Sequence, residues 1–199
     1  MKTKYLIPTG LLAAVGAKLL LSHATKTSAG PTTQTAQADH AAQIARGAYL
    51  VKFGDCSACH TPLKFGEHGP EPDMTKFLSG HPANTKLPTP DLKPGPWFAA
   101  TAGMTAWAGP WGISYAANLT PDKNTGLGIW TEDMFIKAMR TGKHMGHGRP
   151  ILPPMPWQAS RGLTDGDLKA IFAYLRSLPA IENNVPAPLG PDGQPMFPE

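Results

Sequence analysis

Cysteine is nearly missing from this chain. Only 2 occur among 199 residues, so the disulfide framework that staples many small secreted domains is excluded. Charge is sparse as well, at 16% of residues. The formal net charge of +4 owes most of its size to Lys2, Lys4 and Lys18; setting these aside leaves 15 basic against 14 acidic side chains. That balance excludes a basic face for nucleic acid or for an acidic membrane surface. No unbroken apolar run of about 20 residues exists, and no internal repeat is present. Against these absences stand 21 glycines and 22 prolines, which predict much loop and extended chain. Hydrophobic residues at 41% are ordinary for a globular protein, and the length suits one domain with a leader.

Residues 1–24 read as that leader. Lys2 and Lys4 supply a positive start, residues 5–17 are mostly apolar, and Ser22-His23-Ala24 offers small residues for cleavage. Lys18 interrupts the apolar stretch before Leu19-Leu20-Leu21. Two readings stay open: a cleaved export signal, or an uncleaved N-terminal membrane anchor of marginal length. Both place the rest of the chain outside the cytoplasm. Residues 25–39 are rich in Thr, Ser, Ala and Gln, have little to bury, and read as a linker.

Three helices are expected beyond it. The first covers about residues 41–53, with Ile44, Ala48 and Val51 on one face. The second starts after Thr131, a cap followed by Glu132 and Asp133 and stapled by Trp130 to Phe135, and stops at Gly142. The third starts after Thr164 with Asp165 and Asp167 in its first turn. Its apolar face is Leu168, Ile171, Phe172, Leu175 and Leu178, and Pro179 ends it. Residues 61–129 show neither a long helix nor an alternating strand, and residues 187–199 read as a proline-rich tail.

The two cysteines carry the chemistry. They stand in Cys56-Ser57-Ala58-Cys59-His60, where two thiols can add across the two vinyl groups of one haem and the histidine can reach its iron. A thioredoxin-like redox pair would need a βαβ surround, and a zinc site would need two further ligands. The iron's sixth position decides function. Met155, in Leu152-Pro153-Pro154-Met155-Pro156-Trp157, is the best candidate, because the prolines fix the loop that presents it. His144 and His147 are the other candidates for that position. As a metal pair of their own they have no third ligand nearby in sequence, and a solvated glycine-rich loop is the simpler reading. His68 and His81 carry no motif and read as surface or loop residues. Arg140 could pair a haem propionate, or simply be solvated.

The order of helix, Cys-x-x-Cys-His, long loop, methionine in a proline loop and C-terminal helix resembles the class I cytochrome c family. The details are most similar to bacterial cytochromes that accompany periplasmic dehydrogenases. The matching stretches are Arg46-Gly47-Ala48-Tyr49-Leu50-Val51, Asn118-Leu119-Thr120-Pro121-Asp122, Thr125-Gly126-Leu127-Gly128-Ile129-Trp130-Thr131, Pro154-Met155-Pro156-Trp157 and Ala173-Tyr174-Leu175-Arg176-Ser177-Leu178. The resemblance implies an all-α fold over residues 40–186, with a long Pro/Gly-rich insertion after the haem motif. Its first and last helices would cross, with Gly47 facing the region of Tyr174. It also implies Cys56 and Cys59 as thioether links to a single haem c, with His60 and Met155 as axial iron ligands. The function that follows is one-electron transfer without catalysis, as a shuttle or as a dehydrogenase's cytochrome subunit. Partners would be a dehydrogenase as donor and a terminal oxidase or another cytochrome as acceptor. The rival is a haem enzyme or ligand sensor, such as a peroxidase or gas-binding protein, with an open sixth position.

Overall fold

The computed structural model describes residues 33–88, 90 and 96–197. The leader, residues 1–24, and the first part of the expected linker lie outside the described residues. The elements in chain order are α1 (Thr33–Phe53), α2 (Cys56–His60), β1 (Leu63–Gly66), β2 (Gly69–Pro72), β3 (Ala99–Ala100), β4 (Ala106–Gly109), β5 (Gly112–Tyr115), α3 (Glu132–Thr141), α4 (Trp157–Ser160) and α5 (Asp165–Ser177). Single 3-10 turns add Met74–Lys76 and His144–Gly146. Among the described residues no helix is long and apolar enough to cross a membrane.

The all-α expectation is corrected. Of the described residues, helix makes up 37% and strand 14%, and the strands form a two-stranded and a three-stranded antiparallel sheet. Both sheets fall in the long segment after the haem motif. Their strands are two to four residues long, too short for alternation to show in sequence. The two hairpins share one construction. Gly66 pairs with Gly69 around Glu67-His68, and Gly109 pairs with Gly112 around Pro110-Trp111. The closing glycines sit at φ 110° and 98°, a backbone that L side chains avoid.

The helices form as their ends dictate. Thr131 accepts a hydrogen bond from the Met134 amide at 3.2 Å, and Thr164 accepts one from Asp167 at 3.1 Å. Each satisfies an amide that the helix's own bonding leaves free. Gly142 ends α3 in the left-handed region at φ 68°. α1 begins eight residues before the expected start, at Thr33, inside the segment read as a linker. Residues 33–42 are exposed, so what extends the helix is the propensity of Ala and Gln rather than burial.

α1 crosses α5 at Gly47, where a Cβ would lie 1.9 Å from the Ala170 carbonyl oxygen and 2.7 Å from the Tyr174 Cβ. The backbones therefore touch, as the crossing expected from the resemblance requires. Val51, Leu78, Leu127, Phe135, Leu168, Phe172 and Leu175 form the core around this crossing, with the Phe135 and Phe172 rings 5.3 Å apart. The proline-rich tail is part of the folded body. Leu189 exchanges backbone hydrogen bonds with Ile113 of β5 at 2.8 and 2.9 Å.

Outside the crossing, Arg46 on α1 grips Asp167 on α5 at 2.9 Å. That bond, with a second from Thr164, holds the Asp167 carboxyl below its ordinary value. Asp122, bonded by Thr125 and Asn124, is lowered in the same way. A carboxylate whose folded value lies below its unfolded one contributes stability above the unfolded value, and loses it as pH falls through the folded one. Acid should therefore weaken the fold below about pH 4. Asp167→Asn should lose less stability than the native chain between about pH 5 and about pH 3, measured by denaturant unfolding at each pH.

Candidate haem-binding site

The attachment motif folds as one helical turn. Gly54 closes α1 through its amide to the Leu50 carbonyl at 2.8 Å, and Asp55 turns the chain in the left-handed region at φ 49°. In α2, Cys56 and Cys59 stand three positions apart and so share one face. Both are free and half-buried. Burial is the main cause that raises each thiol above its ordinary value, so both are held as thiols at neutral pH. A dithiol redox pair requires the opposite, a stabilised thiolate. The chain that follows is an antiparallel hairpin, not the parallel strand of a βαβ unit. Among the described residues no three His, Cys, Asp or Glu side chains are placed together to hold a metal ion.

His60 is 8% exposed and is held at two points. Its Nδ1–H donates to the Ala117 carbonyl at 2.7 Å, which assigns the tautomer and leaves Nε2 with its lone pair. Nε2 makes no hydrogen bond among the described residues. Burial lowers the His60 pKa, with the Ala117 bond acting in the opposite sense, so the ring is a neutral imidazole. The second hold is on the backbone: the Gly80 amide donates to the His60 carbonyl at 2.8 Å. A ring fixed on one nitrogen and free on the other is the arrangement a metal-binding histidine needs.

Met155 lies half-buried in a loop anchored from two sides. Ser114, on β5, donates its hydroxyl to the Pro153 carbonyl at 2.5 Å. Trp157, opening α4, lies against Gly142 at the end of α3, where a Cβ would come within 2.4 Å of the indole. The Ile151 amide adds a bond to the Gly142 carbonyl at 2.8 Å. The loop is thus tied to a helix end and to the insertion. Thr61, Leu78 and Gly80, by contrast, gather on the His60 side.

The remaining candidates take other roles. His144 is half-buried, edge-on to Trp130 at 4.9 Å between ring centroids, rather than solvated. His147 bonds to the Met145 carbonyl next to it at 3.1 Å. His68 is exposed at the first hairpin turn. His81 differs from the surface residue expected: it is 1% exposed, with Nδ1 2.9 Å from the Thr105 hydroxyl. Arg140 is engaged by Asp165 and the Arg161 carbonyl. Sequence reasoning missed Ala117 and Gly80, because a backbone carbonyl and a backbone amide carry no motif, and it placed Asn118 in a matching stretch without giving it a role.

Two unpaired thiols on one helical turn, an adjoining imidazole with one committed nitrogen and a thioether on a braced loop fit a covalently held haem. The site thus defines a haem protein of the c type. Residues 44–179 match the family model for cytochrome c. The chain is 33% identical over 157 residues to the fructose dehydrogenase cytochrome subunit of Gluconobacter japonicus, covering 79% of this chain and 26% of that protein. It is 32% identical over 133 residues to the gluconate 2-dehydrogenase cytochrome c subunit of Pantoea cypripedii, covering 67% and 22%. It is 30% identical over 141 residues to the cytochrome c subunit of the quinone-type alcohol dehydrogenase of Gluconacetobacter polyoxogenes, covering 71% and 23%. The chain therefore spans about a quarter of the length of these relatives. It belongs to the cytochrome c family, and electron transfer through a c-type haem is the function that membership brings.

Proposed function

We propose that this chain is a monohaem electron carrier that takes single electrons from a dehydrogenase and passes them to a further redox protein. Cys56 and Cys59 would hold one haem c by thioether bonds, and these 199 residues contain no other cysteine to hold a second. His60 Nε2 and the Met155 thioether would hold its iron. When bound, the haem supplies an iron that alternates between ferric and ferrous states. The chain supplies the rest. Ala117 orients the His60 ring, burial keeps it neutral, the proline loop presents Met155, and the crossing of α1 with α5 fixes the frame that carries α2. No bond to a substrate has to be made or broken, so the carrier is not itself a catalyst.

The observation that carries this reading is His60, nearly buried, with Nδ1 tied and Nε2 unbonded, directly after the second thiol. The relatives, cytochrome subunits of fructose and gluconate dehydrogenases among them, support a dehydrogenase as donor. Phe53 and Phe65, 79% and 84% exposed, bracket the attachment turn in sequence and leave apolar surface for a partner. The reading includes export, supported by the pattern of residues 1–24 and by the need to keep both thiols reduced until they are consumed outside the cytoplasm.

The test is a pyridine haemochrome assay on protein from a host able to attach haem. One haem per chain should stay with the denatured polypeptide. Cys56→Ala and Cys59→Ala should each leave a single thioether and shift the haemochrome band. Colourless protein, or haem that acidified butanone extracts from the native chain, overturns the proposal.

A further inference from the structure

Both backbone groups that hold His60 lead to the same place, the chain just beyond α5. The Ala117 carbonyl belongs to a residue whose neighbour, Asn118, is 4% exposed. Asn118 Nδ2 donates to the Ile181 carbonyl at 2.8 Å and to the Thr125 hydroxyl at 3.1 Å. The Gly80 amide lies between Ser79 and His81, and Asn183 Nδ2 donates to the carbonyls of both, at 2.7 and 2.9 Å. Asn183 Oδ1 accepts from the Ala83 amide at 2.9 Å, and the Asn183 amide donates to the Thr125 hydroxyl at 3.0 Å. The amide side chain thus uses both N–H groups and its oxygen on one loop stretch, residues 79–83.

Gly80 closes the circuit. Its φ is 82°, and a Cβ there would lie 2.7 Å from the Ala117 oxygen and 2.5 Å from the Ala116 oxygen. The His81 amide also donates to the Ala116 carbonyl at 2.9 Å. The stretch clamped by Asn183 therefore presses directly on the carbonyl that accepts from His60. We propose that Asn183, working with Thr125, is a positioning residue for the haem ligand His60: the segment beyond α5 is a strap that fixes the Ala117 carbonyl and thereby tunes the iron's potential. A firm Nδ1–H···O bond makes the imidazole a stronger electron donor and favours ferric iron. Releasing the strap lengthens that bond, weakens the donor and raises the potential.

This inference rests on His60 as an iron ligand. Redox titration of the full-length, haem-loaded protein tests it. Asn183→Ala should raise the midpoint so that the ferric-to-ferrous ratio at fixed ambient potential drops about tenfold, a shift of about 59 mV for one electron. Thr125→Val, which removes the oxygen shared by Asn118 and Asn183, should shift it the same way, and Thr125→Ser should restore the native value. Thr164→Ala is the control: it removes the α5 cap and lowers stability, and should leave the potential unchanged. Native potentials in both Asn183→Ala and Thr125→Val overturn the proposal, as does an equal shift in Thr164→Ala. If Asn183→Ala fails to fold with haem, the Thr125 pair decides alone. The two layers fail separately. A His60→Ala protein that keeps a native low-spin spectrum overturns the ligation itself, whereas an unmoved potential with His60 still bound overturns only the strap.

Discussion

Replacing Met155 by alanine is expected to abolish the sulfur–iron absorption band at the red edge of the visible spectrum in the ferric protein. The reduction potential should fall on the order of a tenth of a volt, a fraction of the roughly 0.8 V that axial ligands span. A thioether favours ferrous iron, and nothing in an alanine side chain replaces it. The loop itself should stay in place, since Ser114 holds it at Pro153 and Trp157 seats it on Gly142. The ferrous variant should then bind carbon monoxide readily, and the native protein should not. Parallel His144→Ala and His147→Ala variants should keep the native band, because His144 is committed to Trp130 and His147 to its own turn. A Met155→Ala protein with native spectrum and potential removes Met155 from the iron. Native protein that takes up carbon monoxide at once points instead to an open-site haem protein.

Gly47→Ala should cost the fold far more than the same change at Gly166, the glycine of α5. The new carbon would fall 1.9 Å from the Ala170 oxygen and 2.6 Å from the Ala170 carbonyl carbon. These are backbone atoms in the middle of α5, so no side chain can rotate away and the helices must part. Overpacking of this kind costs about 3 kcal/mol. For a chain of this length that is a fall of roughly 6–12 °C in Tm, read by thermal unfolding of the haem-loaded protein. Gly166→Ala makes the comparison fair. Its Cβ meets only the Thr164 hydroxyl oxygen, at 3.7 Å, so alanine there should be neutral or stabilising by about 0.5 kcal/mol. Equal losses at the two sites would mean that the close crossing is not what holds α1 to α5.

Those contrasts show which parts of the molecule could be read ahead of the structure. Helix ends were legible at Thr131, Gly142 and Thr164 because a cap is a local event, decided by one side chain and an amide two or three residues away. The attachment motif was legible for the same reason, its thiols and imidazole being neighbours in sequence. The small sheets were not, since four-residue strands such as Leu63–Gly66 are too brief for periodicity. The available signal was the repeated Gly-x-x-Gly, at Gly66 to Gly69 and again at Gly109 to Gly112. His81 was misplaced because its burial comes from Thr105 and Tyr115, 24 and 34 positions away. Asn183 was invisible on its own: its partners, Ser79 and His81, are about a hundred positions upstream, and no local pattern announces such a pairing.

The docking of Leu189 against Ile113 has a consequence for how these molecules behave in a crowd. A sheet in the order β3, β4, β5 would otherwise present one flank of β5 to solution, an invitation to any extended chain that drifts past. Residues 188–190 occupy part of that flank first, and residues 194–196 pair against them in turn, the Gly190 amide donating to the Gln194 carbonyl at 2.7 Å and the Met196 amide to the Pro188 carbonyl at 2.9 Å. A chain shortened before residue 188 is expected to bare that border of β5. With residues 188–196 in place, a neighbour meets that flank of β5 with Ile113 already paired.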